Sequence, residues 1–96
     1  MYLPTPEDFE PWVGKKVRVT AVPEPIEITL LRVERRANLT NDFREPFVLL
    51  FESPENVYLL DETYEMDCGK GGPYNIFISQ IQPRPGEPRL YQAVFS

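Results

Sequence analysis

Apolar and polar positions alternate with a period of two through most of this chain, in short runs separated by proline and glycine. The longest unbroken apolar run is Phe47, Val48, Leu49, Leu50 and Phe51, bounded by Pro46 and by Ser53 and Pro54. Five residues are too few for an ordinary helix, so the run predicts a strand. Side chains alternate along a strand, which sends Phe47, Leu49 and Phe51 to one face and Val48 and Leu50 to the other. Neither set suits water, so this strand is expected at the centre, covered on both faces. Residues 16–21 alternate more plainly, with Val17, Val19 and Ala21 inward and Lys16, Arg18 and Thr20 outward. The strand that opens at Ile26 changes phase: Ile26, Ile28 and Leu30 share one parity, Leu31 and Val33 the other. An extra residue near Leu30 and Leu31, a β-bulge, reconciles the halves and bends the strand. Burial on both sides is the competing reading.

Three further strands follow. Tyr64, Met66 and Cys68 share a face over residues 63–68; Tyr74, Ile76 and Ile78 point inward over residues 74–81, with Phe77 opposite. Tyr91, Ala93 and Phe95 alternate with Leu90 and Val94 over residues 89–95. Turns are expected at residues 53–56, 69–72 and 83–88. The glycine-rich run from Gly69 superficially resembles a phosphate loop. It lacks that loop's spacing and a following helix, so a tight connection is the better reading. Pro85 and Pro88 have the spacing of a polyproline motif, but Gly86 between them favours a plain loop.

One helix is expected, at the start. Thr5 can cap it, Pro6 suits its first position, and Glu7 and Asp8 favour the positive end of its dipole. Phe9, Trp12 and Val13 fall on one helical face, Pro11 keeps the helix short, and Gly14 ends it. Trp12 reads as a packing anchor that plugs one end of a sheet before it reads as a ligand platform. The pattern as a whole predicts an all-β domain over residues 1–96. It has one short N-terminal helix and about six antiparallel strands, in a small barrel or a strongly curled sheet. Eleven prolines against five glycines agree with many short segments joined by turns.

Charge and composition narrow the functional classes. Fifteen acidic residues against ten basic give a net charge of −5, which argues against a nucleic-acid partner. No apolar segment reaches the roughly 18–20 residues of a membrane span, and Met1 to Pro4 do not read as a signal peptide. A cytoplasmic protein is expected, or one exported only within a larger assembly. Cys68 is the sole cysteine and there is no histidine. An internal disulfide, a Ser-His-Asp or Cys-His catalytic group and the common zinc sites are therefore ruled out. Cys68, flanked by Asp67, reads as a small core residue and not a nucleophile. Asp61, Glu62, Glu65 and Asp67 offer paired carboxylates, but Glu65 and Asp67 alternate onto an exposed face, where solvation explains them. Arg35 and Arg36 read as a charged strand edge that discourages aggregation. Arg44 and Glu45 read as structural pins at the start of the central strand. Asn38, with Thr40, matches a glycosylation acceptor, a pattern common by chance. No catalytic residue, cofactor site or metal site is expected.

Four segments carry a family resemblance. Residues 5–14 read T-x-E-D-F-x-P-x-V-G, residues 27–33 E-x-T-L-x-x-V, residues 44–51 R-E-P-F-x-L-x-F, and residues 91–95 Y-x-A-V-F. In this order and spacing the chain resembles an uncharacterised bacterial family of compact β domains of about this length. It departs from that pattern at residues 68–73, a glycine-rich turn where the pattern carries a histidine. The resemblance implies an association with proteins related to phage tail collars and tail fibres, and it carries no catalytic residues.

Two binding classes follow. The first is a non-enzymatic interaction or assembly domain, a component or chaperone of a phage-tail-like fibre. Its partner contacts are expected among Val48, Leu50, Phe77, Leu90 and Val94, because one short helix cannot cover both faces of so small a sheet. Self-association and a monomer both remain open. The second is a small-ligand or carbohydrate-binding barrel lined by Trp12, Tyr58, Tyr64, Tyr74 and Tyr91.

Overall fold

A computed structural model describes residues 4–21, 24–35, 46–54, 56–82 and 84–95. The expectations for Arg36, Asn38, Arg44, Glu45 and Pro83 lie outside them. The chain opens with a short α-helix, α1 (Pro6–Phe9), which runs directly into a 3-10 turn, Glu10–Trp12. Six strands follow: β1 (Lys16–Val19), β2 (Ile26–Arg35), β3 (Phe47–Ser53), β4 (Glu62–Asp67), β5 (Tyr74–Gln80) and β6 (Arg89–Phe95). They close into an antiparallel barrel in the order β1-β2-β3-β6-β5-β4.

The bulge falls where the change of phase predicts it. Leu30 pairs with Phe51 and Arg32 with Leu50, which leaves Leu31 as the extra residue. Leu30 is fully buried, and beyond the bulge Val33 packs against the core, so both halves of β2 turn their apolar side chains inward. The bend lets one ten-residue strand serve two neighbours, β1 and β3. β3 is central, pairing along its whole length with β6 and over most of it with β2. Phe47, Leu49 and Phe51 are fully buried, and Val48 and Leu50 on the outer side are buried as well.

The closing ladders are narrow. β1 meets β4 at Arg18 with Asp67 and Val19 with Met66, extended by the Thr20 N–H donating to the Glu65 carbonyl at 2.9 Å. β5 meets β6 at Ser79 with Gln92 and Gln80 with Tyr91, extended by the Ile81 N–H donating to the Leu90 carbonyl at 2.9 Å.

The N-terminal segment plugs one end of the barrel. Asp8 reaches back to the cap: its Oδ2 accepts from the Thr5 N–H at 2.7 Å and from the Thr5 hydroxyl at 3.2 Å. Phe9 and Trp12 are both fully buried, edge to face with centroids 5.2 Å apart. Phe9 also meets Phe47, Tyr74 and Phe95, at 6.0, 5.2 and 5.7 Å, and thereby touches β3, β5 and β6. The Trp12 indole N–H donates to the Lys70 carbonyl at 2.9 Å, so its polar atom is satisfied inside the plug.

One expectation is corrected and one is extended. Val13 does not share the buried stripe; it is 37% exposed and extended, bridged in parallel to Leu30. The turn tightens to 3-10 geometry after Phe9, which puts Trp12 over Phe9 at three residues' spacing, and the chain leaves the helix at Val13. Arg35 is exposed on a stretch of β2 that pairs with β3 but lies beyond the β1 ladder. It does more than stand in solvent: it reaches Glu7 at 2.6 Å and Glu10 at 3.5 Å, tying the N-terminal segment to the barrel wall.

Candidate functional site

The aromatic side chains expected to line a cavity divide by environment. Trp12 and Tyr91 are fully buried in the core, and Tyr74 packs against Phe9 and Trp12 at 5.2 and 5.8 Å. Tyr91 spans the interior and ends in a buried polar cluster. Its hydroxyl accepts from the Ser53 hydroxyl at 3.1 Å and from the Leu59 N–H at 3.2 Å. That cluster holds the connection between β3 and β4 against the barrel end opposite the helix, with Leu59 as the stopper, 3% exposed. These three rings are committed to packing.

Tyr58 and Tyr64 behave differently. Alternation on either side of Leu59 turns Tyr58 and Leu60 outward, 58% and 59% exposed. The Arg89 guanidinium lies 5.0 Å from the Tyr58 ring centroid, a cation–π contact that steadies the ring. The Tyr64 hydroxyl accepts from the Leu60 N–H at 3.2 Å and donates to the Leu60 carbonyl at 3.3 Å, which fixes Leu60 from below. Burial, and then a hydrogen bond with Glu62, push the Tyr64 phenol up, so it stays a protonated donor. Together with Ala21, Glu24, Ile26 and Glu62 these residues line a cleft of about 610 Å³ at this end of the barrel. The only signal for it in the sequence is the alternation of Tyr58, Leu59 and Leu60.

The residues expected to meet a partner lie on the outer wall of β3, β5 and β6. Val48 is 6% and Leu50 8% exposed, so both are already covered within the chain and have little surface left to offer. Leu90 is half-buried. Phe77 and Val94 stand open, at 56% and 64%. Val94 pairs with the covered Val48. Phe77 lies two residues before Ser79 and Val94 two residues after Gln92, on the parity of that outward pair, so both flank the stretch beyond the short β5–β6 ladder.

The carboxylates stay apart as chemistry. Asp67 accepts from the Gly69 N–H at 2.9 Å and locks the turn after β4, while Asp61 accepts from the Gln80 N–H at 2.9 Å and ties the start of β4 to the end of β5. Among the described residues no three histidine, cysteine or acidic side chains come together to hold a metal ion. Cys68 is half-buried at the end of β4 and packs against the core. Burial first, and then the charge of Asp67, push its thiol up. Among the described residues no helix is long and apolar enough to cross a membrane.

No curated protein and no solved structure matches this chain. A family profile does, over residues 4–95, which spans the plug, all six strands and both surfaces just described. The chain belongs to the family described as Domain of unknown function (DUF6916).

Proposed function

We propose that this domain is a non-enzymatic interaction module that takes part in assembling a phage-tail-like fibre, as a component or chaperone, by contact between its outer wall and a fibre protein. The observation that carries the reading is the exposure of Phe77 and Val94 on adjacent strands, beside the buried Val48 and Leu50. Removing two large apolar side chains from water favours association, at ~25 cal/mol per Å² of apolar surface. The resemblance to domains found with tail-collar and tail-fibre proteins supplies the class of partner. The net charge of −5 favours a neutral or basic partner surface.

The test is co-expression with the fibre-like product encoded beside this chain, followed by affinity capture and light scattering. Capture by the native domain, lost in Phe77→Glu/Val94→Glu with an unchanged melting temperature, is the expected result. Capture that survives both substitutions, or no capture of the neighbour, overturns it. Loss of a concentration-dependent dimer in the double variant, with no neighbour captured, replaces the fibre protein with a second copy of this chain.

A further inference from the structure

The cleft at the end opposite the helix is a second candidate site, separate from the outer wall. Its lining is specific in kind. Ala21 and Ile26 are half-buried, and Tyr58 and Leu60 are exposed apolar side chains held in place. Tyr58 is steadied by Arg89 and the Leu60 backbone by the Tyr64 hydroxyl. Among the described residues of the lining, the phenols aside, the ionisable side chains are two carboxylates, Glu24 and Glu62, both exposed; the nearby Arg89 cation is engaged with the Tyr58 ring. A volume of about 610 Å³ is in the range of small-ligand and peptide-side-chain sites.

We propose that this cleft seats a lysine or arginine side chain of an extended protein segment, its methylene stem against Tyr58, Leu60 and Ile26 and its cation between Glu24 and Glu62. Long basic side chains combine an apolar stem with a charged head, and the cleft offers the matching halves in one place. The charge pattern selects among occupants. An acidic or phosphorylated segment meets repulsion from both carboxylates, and a purely apolar segment gains nothing from them. A neutral sugar can use the tyrosines but draws no advantage from two negative charges. The occupant is thus a basic protein segment, and the site works whether or not the Phe77 and Val94 surface has a partner.

The experiment is a heteronuclear NMR titration of the whole domain with the capped tripeptide Lys-Leu-Lys, with Gln-Leu-Gln and maltotriose as the alternative probes. Saturable shifts are expected at the amides of Tyr58, Leu60, Glu62 and Tyr64 with the lysine peptide, weakened when salt rises from 50 to 500 mM. Glu24→Gln/Glu62→Gln should weaken binding by about fivefold or more, the scale of two exposed ion pairs. It should leave the fold native, since both side chains are exposed, with free-state shifts confined to the surroundings of Tyr64, which loses its contact with the Glu62 carboxylate. Tyr58→Ala should weaken binding without removing its salt dependence. Equal binding of Gln-Leu-Gln, shifts that map elsewhere, insensitivity to the double substitution, or absence of saturable shifts overturns the proposal. Shifts at the same amides with maltotriose and not with the lysine peptide make the cleft a sugar site. Phe77→Glu/Val94→Glu is expected to bind the lysine peptide as the native domain does, so failure of one surface is read separately from failure of the other.

Discussion

Tyr91 shows how much a single side chain sets in this protein. Its ring lies in the core, and its hydroxyl accepts from Ser53 and from the Leu59 backbone, both buried groups. Alternation along β6 places the ring inside, but nothing in the local sequence says where the oxygen finds its partners. Removing that oxygen takes the acceptor from the buried Leu59 N–H, while the Ser53 hydroxyl keeps the Pro54 and Val57 carbonyls at 3.3 Å; a buried group left without a partner costs about 1–3 kcal/mol. Tyr91→Phe should therefore lower the unfolding free energy by about that much, read by urea denaturation. A change within the error of the measurement would mean the cluster finds other partners. Cys68 gives a second test at this scale. Burial raises its thiol above the usual value of 9.0, and the charge of Asp67 adds to the shift. The native state thus holds the proton more tightly than the unfolded chain. The stabilisation is full below the unfolded value and declines as pH rises through the window above it. Alkylation of Cys68 by iodoacetamide at pH 8 should run slower in the native domain than in denaturant, with its pH midpoint shifted upward.

At the scale of elements, the helical plug contributes more than its length suggests. Phe9 touches rings from β3, β5 and β6, and so bridges β5 to the paired β3 and β6 at the end that the β5–β6 ladder, at Ser79 and Gln80, does not reach. Phe9→Ala removes a fully buried ring where the surroundings are held by other elements, so a cost of about 3–5 kcal/mol is expected. Arg35→Gln should cost less than about 1 kcal/mol, because its pairs with Glu7 and Glu10 are exposed. Double-mutant comparison by thermal denaturation separates the two contributions. Elements were the scale at which the sequence was most readable. The bulge at Leu31 follows from one change of phase, and the inward set of β3 from simple alternation. Val13 was misread because its position depends on a 3-10 turn, and the reach of Arg35 to Glu7 and Glu10 was missed because it depends on where the N-terminal segment docks; neither is a local property.

At the scale of the whole molecule, closure of the barrel was legible as a class, while the neighbours across each seam were not. Strands β1, β4, β5 and β6 carry no residue that names its partner; the pairings follow from how the bend at Leu31 and the plug at Phe9 shape the sheet. The two surfaces were legible in part. Phe77 and Val94 fall on outward parities, but the covering of Val48 and Leu50 depends on three-dimensional packing, and the cleft depends on a connection folded against Tyr91. Closure also has an uneven distribution of strength. β3 is paired over seven positions with β6, while β4 and β5 join the remaining strands over two positions each. Gln80 stands on the β5 side of one seam, and its Nε2 is buried with no hydrogen-bond partner among the described residues. The β4–β5 hairpin is therefore the unit that opens at least cost, since five pairs bind it internally and two narrow ladders bind it to the rest. Native-state hydrogen exchange should show the amides of Glu62–Asp67 and Tyr74–Gln80 exchanging by a lower-energy opening than those of Phe47–Ser53. Phe9→Ala should lower the hairpin's opening energy further, because the ring that bridges Tyr74 to Phe47 and Phe95 is lost. Equal protection in the hairpin and in β3 would show that the barrel opens as one unit, with its short seams as strong as its long ones.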